Sequence, residues 1–113
     1  MIVARWRVAL ADAANRDFVD TIEYTIETFG ARQAKIYRAT LKSALKALEA
    51  DPELRGSASR EDIGDRLRTL HVARNGKRGR HLILYREGPE RTIEVLRILH
   101  DAMDLARHVP KRE

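Results

Sequence analysis

The chain has 113 residues, carries a net charge of +5 with a pI near 10, and has 35% charged residues. It contains no cysteine, which excludes disulfides, a thiolate nucleophile and cysteine-based metal sites. The length predicts one domain over 1–113, and the positive charge predicts attraction to nucleic acid or to an acidic protein surface.

Apolar and polar residues alternate from Val3 to Leu10, which is the period of a half-buried strand, so residues 1–10 are assigned to a first strand. The same segment is too short and too charged for a signal peptide. No run of the sequence approaches the roughly 18 apolar residues of a membrane span. We therefore expect a soluble, cytoplasmic protein that does not contact a membrane.

Residues 12–50 predict a helical hairpin. Asp12 can cap a first helix whose apolar residues Phe18, Ile22, Ile26 and Phe29 form one stripe, and Gly30 ends that helix. A second helix follows over residues 31–50 with an apolar stripe of its own, and a connection this short makes the two helices antiparallel. The residues Lys35, Arg38, Lys42 and Lys46 share a face of this helix, which we interpret as a solvated face rather than a binding stripe.

The polar segment 53–65 predicts a surface loop that contributes nothing to the core. Residues 66–100 predict a three-stranded antiparallel meander, with strands over 67–73, 80–86 and 91–99. Residues 100–109 predict a C-terminal helix ahead of Pro110. The fold class is α+β in the order β-α-α-β-β-β-α, with the helical hairpin on one face of a small antiparallel sheet and the other face partly open.

The residues at the joints of these elements resemble the RelE/ParE toxin superfamily, and the ParE side of it in particular. In the helices they are Ala14-Asn15-Arg16-Asp17-Phe18, Tyr24, Phe29-Gly30, Ala34, Tyr37, Leu41, Leu48 and Asp51-Pro52. In the strands they are Leu67-Arg68, Gly79, the run from His81 to Arg86, the run from Ile93 to His100, and Met103-Asp104. The ending Arg97-Ile98-Leu99-His100 with Met103-Asp104 shortly after it is similar to ParE-type members.

The resemblance implies the toxin half of a type II toxin–antitoxin pair. A ParE-like toxin would inhibit DNA gyrase by binding it and would form a hetero-oligomer with an acidic, ParD-like antitoxin that wraps around its helices and sheet. A RelE-like toxin would instead cut mRNA on the ribosome, and an inactive member would be kept only for assembly of the complex. Whether the chain also binds nucleic acid directly stays open.

An RNA-cleaving toxin needs a base, an acid and cationic groups over one cleft. The residues that could supply them are Arg68, Arg80, His81, Tyr85 and Arg97. Acidic residues in the loop 53–65, where an RNase would want lysines, argue against this chemistry, so no catalytic residue is expected. The predicted contacts to antitoxin or target are Phe18, Ile22, Tyr37, Leu41, Arg80, Arg86, Arg97 and His100.

No metal and no cofactor are expected. His100, Asp104 and His108 recur every four residues, but capping and charge pairing explain them more simply than a metal site does. Arg97 would interrupt the apolar row of the last strand and needs a partner, which is either an acid such as Asp17 or Asp104 or a group on a binding partner. Tyr85 is expected in the core or covering it.

Overall fold

The computed structural model describes residues 5–109. It contains β1 (Arg7–Leu10), α1 (Asp12–Phe29), α2 (Ala31–Ala47), β2 (Ser57–Ser59), β3 (Arg68–His71), β4 (His81–Glu87), β5 (Thr92–His100) and a short 3-10 helix (Leu105–His108). The five strands form one sheet in the order β1-β5-β4-β3-β2. β1 runs parallel to β5 and the other neighbours are antiparallel, so the predicted α+β class and helical hairpin are confirmed.

The hairpin turns at a single residue. Gly30 has φ +93, which a residue with a side chain rarely adopts, and its N–H donates to the carbonyl of Ile26 at 2.9 Å. The carbonyl of Gly30 then accepts the N–H of Ala34, so α2 begins at once. No helix among residues 5–109 combines the length and the apolar character needed to cross a membrane.

The main core lies between the helices and one face of the sheet. Its buried members are Ala14, Leu41, Ala44, Leu48, Leu70, Val72, Ile83, Tyr85, Ile93, Val95 and Ile98. Tyr85 is fully buried, and its hydroxyl donates to the carbonyl of Pro52, which satisfies the one polar atom of its side chain. The expectation that Tyr85 belongs to the core is confirmed.

The second face of the sheet is covered, contrary to the prediction that it stays partly open. Leu67, Leu84 and Leu96 form a smaller apolar cluster there, and Ile63 and Val109 pack against it. Ile63 belongs to the segment that was predicted to contribute nothing to the core. That prediction was wrong because one apolar residue in a polar loop carries no periodic signal, yet it is enough to cover a small face.

Two predicted boundaries are also corrected. β2 was missed because Ser57–Ser59 pairs with β3 through its backbone and has exposed, weakly apolar side chains. The predicted helix over 100–109 is only the 3-10 turn Leu105–His108, which starts where the Asp104 carboxylate accepts the N–H of Ala106 at 3.2 Å. The first strand spans Arg7–Leu10, and the predicted residues 1–4 lie outside the described part of the chain.

A β-bulge changes which residues of β5 face the helices. Leu84 lies opposite Arg97, but its neighbour Tyr85 lies opposite Val95, so β5 has one extra residue at this point. Beyond the bulge the alternation is shifted, and Ile98 joins the main core instead of Leu99. The uniform alternation predicted from residue 93 to residue 99 was therefore wrong.

Candidate functional site

Polar side chains gather at one end of the sheet, where β3 and β5 finish and β4 begins. We call this group the polar end, and its residues are Tyr37, His71, Arg80, His81, His100 and Asp101. The antiparallel register places His81 opposite His100, while His71 lies opposite Leu82. Successive side chains of a strand point to opposite faces, so the polar end divides into a helix-side half and a far-side half.

The helix-side half is a neutral hydrogen-bonded pair. The Tyr37 hydroxyl lies 2.7 Å from Nδ1 of His81 and accepts the backbone N–H of Arg80 at 3.1 Å. Burial raises the pKa of Tyr37, and burial together with the nearby His100 lowers the pKa of His81. Tyr37 therefore donates its proton to a neutral His81, whose own proton is on Nε2.

The far-side half is centred on Asp101. Its carboxylate accepts hydrogen bonds from Nε2 of His71 at 3.0 Å and from Nη2 of Arg80 at 3.2 Å. These bonds, that from His71 being the larger cause, lower the pKa of Asp101 to about 2. Nδ1 of His71 accepts the N–H of Ala73 at 3.0 Å, so its proton is on Nε2 and the contact with Asp101 forms without a charge on the ring.

His100 is oriented by its own backbone. Its Nδ1 accepts the N–H of Ala102 at 3.1 Å and is 3.6 Å from Oδ1 of Asp101. A nitrogen that accepts an N–H carries no proton of its own, so the 3.6 Å contact is not a hydrogen bond. The His100 ring stands edge-on to that of His81 with their centroids 5.5 Å apart.

Arg97 is held by α1. Its Nε and Nη2 donate to the two carboxylate oxygens of Asp17 at 2.8 and 2.9 Å, and the N–H of Ile98 donates to the same carboxylate at 2.9 Å. The bonds from Asp17 raise the pKa of Arg97. Of the two kinds of partner predicted for Arg97, the structure supplies the internal acid, and it is Asp17.

The other predicted residues are scattered. Arg68 donates to Ser57 Oγ at 2.7 Å beside Tyr85, which is opposite it in the sheet and thus far from the polar end. Arg86 pairs with Glu94 at 3.0 Å on the surface. The five residues proposed for RNA cleavage are therefore not brought together, and Tyr85 is removed from that set because it has no exposed surface.

A shallow groove beside Arg68 is acidic. It is lined by Glu53, Ser59, Glu61, Arg66, Leu67, Arg68 and Glu87. Three carboxylates face two guanidinium groups there, which repels an RNA phosphate more than it attracts one. No group of three or more metal-ligating side chains within residues 5–109 is arranged to hold a metal ion.

The helical hairpin presents apolar side chains to solvent. Those with about half or more of their surface exposed are Val19, Tyr24, Ile26, Phe29 and Ile36, and we call them the hairpin patch. Of the predicted contacts, Phe18 and Ile22 are partly buried against the core and Leu41 is fully buried, so Leu41 has no surface with which to bind a partner. Sequence reasoning missed Val19, Tyr24 and Ile36 because they lie off the apolar stripes.

The two helices carry opposite charge on their exposed faces. The exposed acids of α1 are Asp12, Asp20, Glu23 and Glu27, and the exposed bases of α2 are Arg32, Lys35, Arg38, Lys42 and Lys46. A partner that lies along the hairpin therefore meets a basic edge on one side and an acidic edge on the other.

The family model described as the ParE toxin of the type II toxin–antitoxin system parDE matches residues 8–105. Toxin ParE1 of Mycobacterium tuberculosis, from strains CDC 1551 and H37Rv, is 31% identical over 103 residues, which is 91% of this chain and 97% of that protein. The fold matches a chain of the chromosomal ParDE system of P. aeruginosa with a TM-score of 0.69 and 18% identity, covering 87% of this chain and 98% of that one. It also matches a chain of the toxin–antitoxin complex RelBE2 of Mycobacterium tuberculosis with a TM-score of 0.55 and 22% identity, covering 85% and 98%.

Proposed function

The chain belongs to the ParE toxin family of type II toxin–antitoxin systems, and on that premise we propose that it inhibits DNA gyrase by binding and is neutralised by an acidic, ParD-like antitoxin. Gyrase as the target follows from the family resemblance. The observation that carries binding rather than RNA cleavage is the internal engagement of the side chains that cleavage would use. Each of them has a partner inside the domain or is buried.

Cleavage of RNA by a neighbouring 2′-hydroxyl needs a base that can take a proton. In the neutral His81, Nδ1 is occupied by the Tyr37 hydroxyl and Nε2 carries the proton, so neither nitrogen is free to act as a base. Arg80 and Arg97 are paired with Asp101 and Asp17, so their charges are already compensated. This arrangement favours a toxin that binds its target.

The hairpin patch supports the antitoxin half of the proposal. Exposed aromatic and branched apolar side chains are the usual anchors of a protein interface. Phe29 is 66% exposed and Tyr24 is 63% exposed, so both have surface available for a partner. The basic exposed face of α2 would attract an acidic antitoxin segment and speed its association.

A pair of assays on the purified full-length chain tests the target. We expect loss of DNA supercoiling by gyrase together with intact mRNA in a ribosome-dependent cleavage assay. His81→Gln removes the imidazole that an RNase would use, and we expect this variant to inhibit gyrase as the wild type does. Cleaved mRNA with normal supercoiling, abolished in His81→Gln, would establish the endonuclease instead.

The antitoxin surface has its own test. Tyr24→Ala combined with Phe29→Ala removes two exposed anchors, and we expect the antitoxin Kd to rise at least about tenfold, in line with the ~2 kcal/mol of a typical hot spot. Met103→Ala is the matched control, because Met103 is 46% exposed and lies outside the hairpin. An unchanged Kd in the double variant would place the antitoxin elsewhere on the domain.

A further inference from the structure

The connection between β3 and β4 is strongly basic. Its residues 74–80 read Arg-Asn-Gly-Lys-Arg-Gly-Arg, and we call this segment the basic turn. It contains four basic residues and no acid, which leaves 18 basic and 17 acidic residues in the rest of the chain. Most of the excess positive charge of the protein is therefore concentrated in seven residues.

The basic turn has a defined shape. The N–H of Lys77 donates to the carbonyl of Arg74 at 3.1 Å, and the two residues between them, Asn75 and Gly76, have φ +54 and +79. Two consecutive positive φ values are the mark of a type I′ turn, the tight connection that matches the twist of a β-hairpin. The turn thus projects its charges from one end of the sheet in a fixed direction.

The polar end holds the base of the turn in place. Val72 N–H donates to the carbonyl of His81 at 3.0 Å, and Arg80 N–H donates to the Tyr37 hydroxyl. Gly79 is packed closely between these elements, since a Cβ at this position would lie 2.6 Å from Cγ2 of Val72. This preorganisation lowers the entropy that a ligand would have to remove on binding.

Three of the four charges are available to a ligand. Arg80 is paired with Asp101, but Arg74, Lys77 and Arg78 have no ion pair with any carboxylate among residues 5–109. Lys77 and Arg78 are exposed, whereas Arg74 is partly buried and so more restricted in position. These side chains form a compact, uncompensated cationic surface.

We propose that the basic turn binds the phosphate backbone of double-stranded DNA. Every exposed large apolar residue of the described chain lies outside the turn, so the turn has none of the anchors that a protein interface needs. It also has no aromatic residue on which an unpaired base could stack, which disfavours single-stranded RNA. Cations on a rigid β-turn without apolar or aromatic neighbours suit phosphates of a regular duplex.

This inference goes beyond the proposed function, because it concerns DNA bound by the toxin itself and its test contains no gyrase. The two can fail separately. A toxin that inhibits gyrase without binding DNA overturns only the inference. A toxin that binds DNA but leaves supercoiling intact overturns only the proposed target.

The experiment measures fluorescence anisotropy of a labelled duplex of about 20 base pairs with the purified full-length chain, across roughly 50 to 200 mM salt. The test variant is Lys77→Gln with Arg78→Gln. The matched control is Lys42→Gln with Lys46→Gln, which removes the same charge from the exposed face of α2. A labelled single-stranded RNA and the antitoxin are titrated in parallel.

We expect the wild type to bind the duplex more tightly than the RNA. In the test variant the slope of log K against log salt should fall by about 2, and the affinity near 0.1 M salt should drop at least about tenfold. The control should stay within about threefold of the wild type, and antitoxin affinity should not change in the test variant. Absence of duplex binding by the wild type, equal losses in both variants, tighter binding of the RNA, or loss of antitoxin binding instead of DNA binding would each overturn the proposal.

Discussion

The ion pair between Arg97 and Asp17 fixes α1 to β5 and makes the sharpest prediction about stability. The side chains are only 25% and 15% exposed, and Asp17 accepts three hydrogen bonds, two from Arg97 and one from Ile98 N–H. Asp17→Asn keeps the shape of the side chain and removes its charge. It leaves the Arg97 cation partly buried beside an amide group that can satisfy only part of these bonds.

Breaking a buried pair by removing one partner costs about 3–5 kcal/mol, and the partial exposure of this pair reduces that figure to about 2–3 kcal/mol. We expect a similar cost for Arg97→Gln, since Asp17 then loses its counter-charge. The double variant removes both charges, so its cost should be smaller than the sum of the single variants by about 1–2 kcal/mol. The control is Glu94→Gln, because Arg86 and Glu94 pair at 3.0 Å but are 39% and 40% exposed, and such a surface pair contributes about 1 kcal/mol or less.

The assay is urea unfolding followed by circular dichroism, with the free energy of unfolding compared at constant m-value. Two results would refute the reasoning. Additive costs in the double variant would show that Arg97 and Asp17 are not coupled. A cost for Glu94→Gln as large as that for Asp17→Asn would show that burial is not what makes the pair important.

Three further predictions concern the core, the turn and the polar end. Gly79→Ala should lower the free energy of unfolding by about 1–3 kcal/mol, because the new Cβ would lie 2.6 Å from Val72; an unchanged melting temperature would contradict this. Leu41→Ala should cost about 2–5 kcal/mol in urea unfolding, whereas Phe29→Ala should leave stability nearly unchanged, and the reverse order would contradict the burial of the two residues. The lowered pKa of folded His81 means that the unfolded chain takes up this proton first as the pH falls, so stability should decrease below about pH 6.5, and His81→Gln should flatten that part of a pH series; a profile identical to that of the wild type would refute this.

The sequence predicted the parts of the candidate site that depend on local patterns. The Asp17 partner of Arg97 was one of two internal acids proposed, and the structure selects it because the bulge in β5 and the position of α1 bring the two side chains together. The contact between Tyr37 and His81 spans 44 positions and has no signature in either helix or strand. The same holds for His71 and Asp101, which only the strand register brings within hydrogen-bonding distance.

The sequence by itself determined the elements whose signal is periodic or covalent. The apolar stripes and Gly30 were sufficient for the helical hairpin, and the strand patterns between residues 67 and 100 were sufficient for the antiparallel meander. These features depend on interactions between residues close in the chain, so the order of residues specifies them directly.

Only the tertiary structure decided the rest. The pairing of β2 with β3, the bulge in β5, the cover of the second sheet face by Ile63 and Val109, and the short C-terminal turn all depend on contacts between distant segments. Such contacts form where packing and backbone hydrogen bonding across the whole domain are satisfied together, and a local pattern contains neither term. That is also why the chemistry-bearing side chains, visible in the sequence as a possible catalytic set, are in the folded protein separated and paired within the domain.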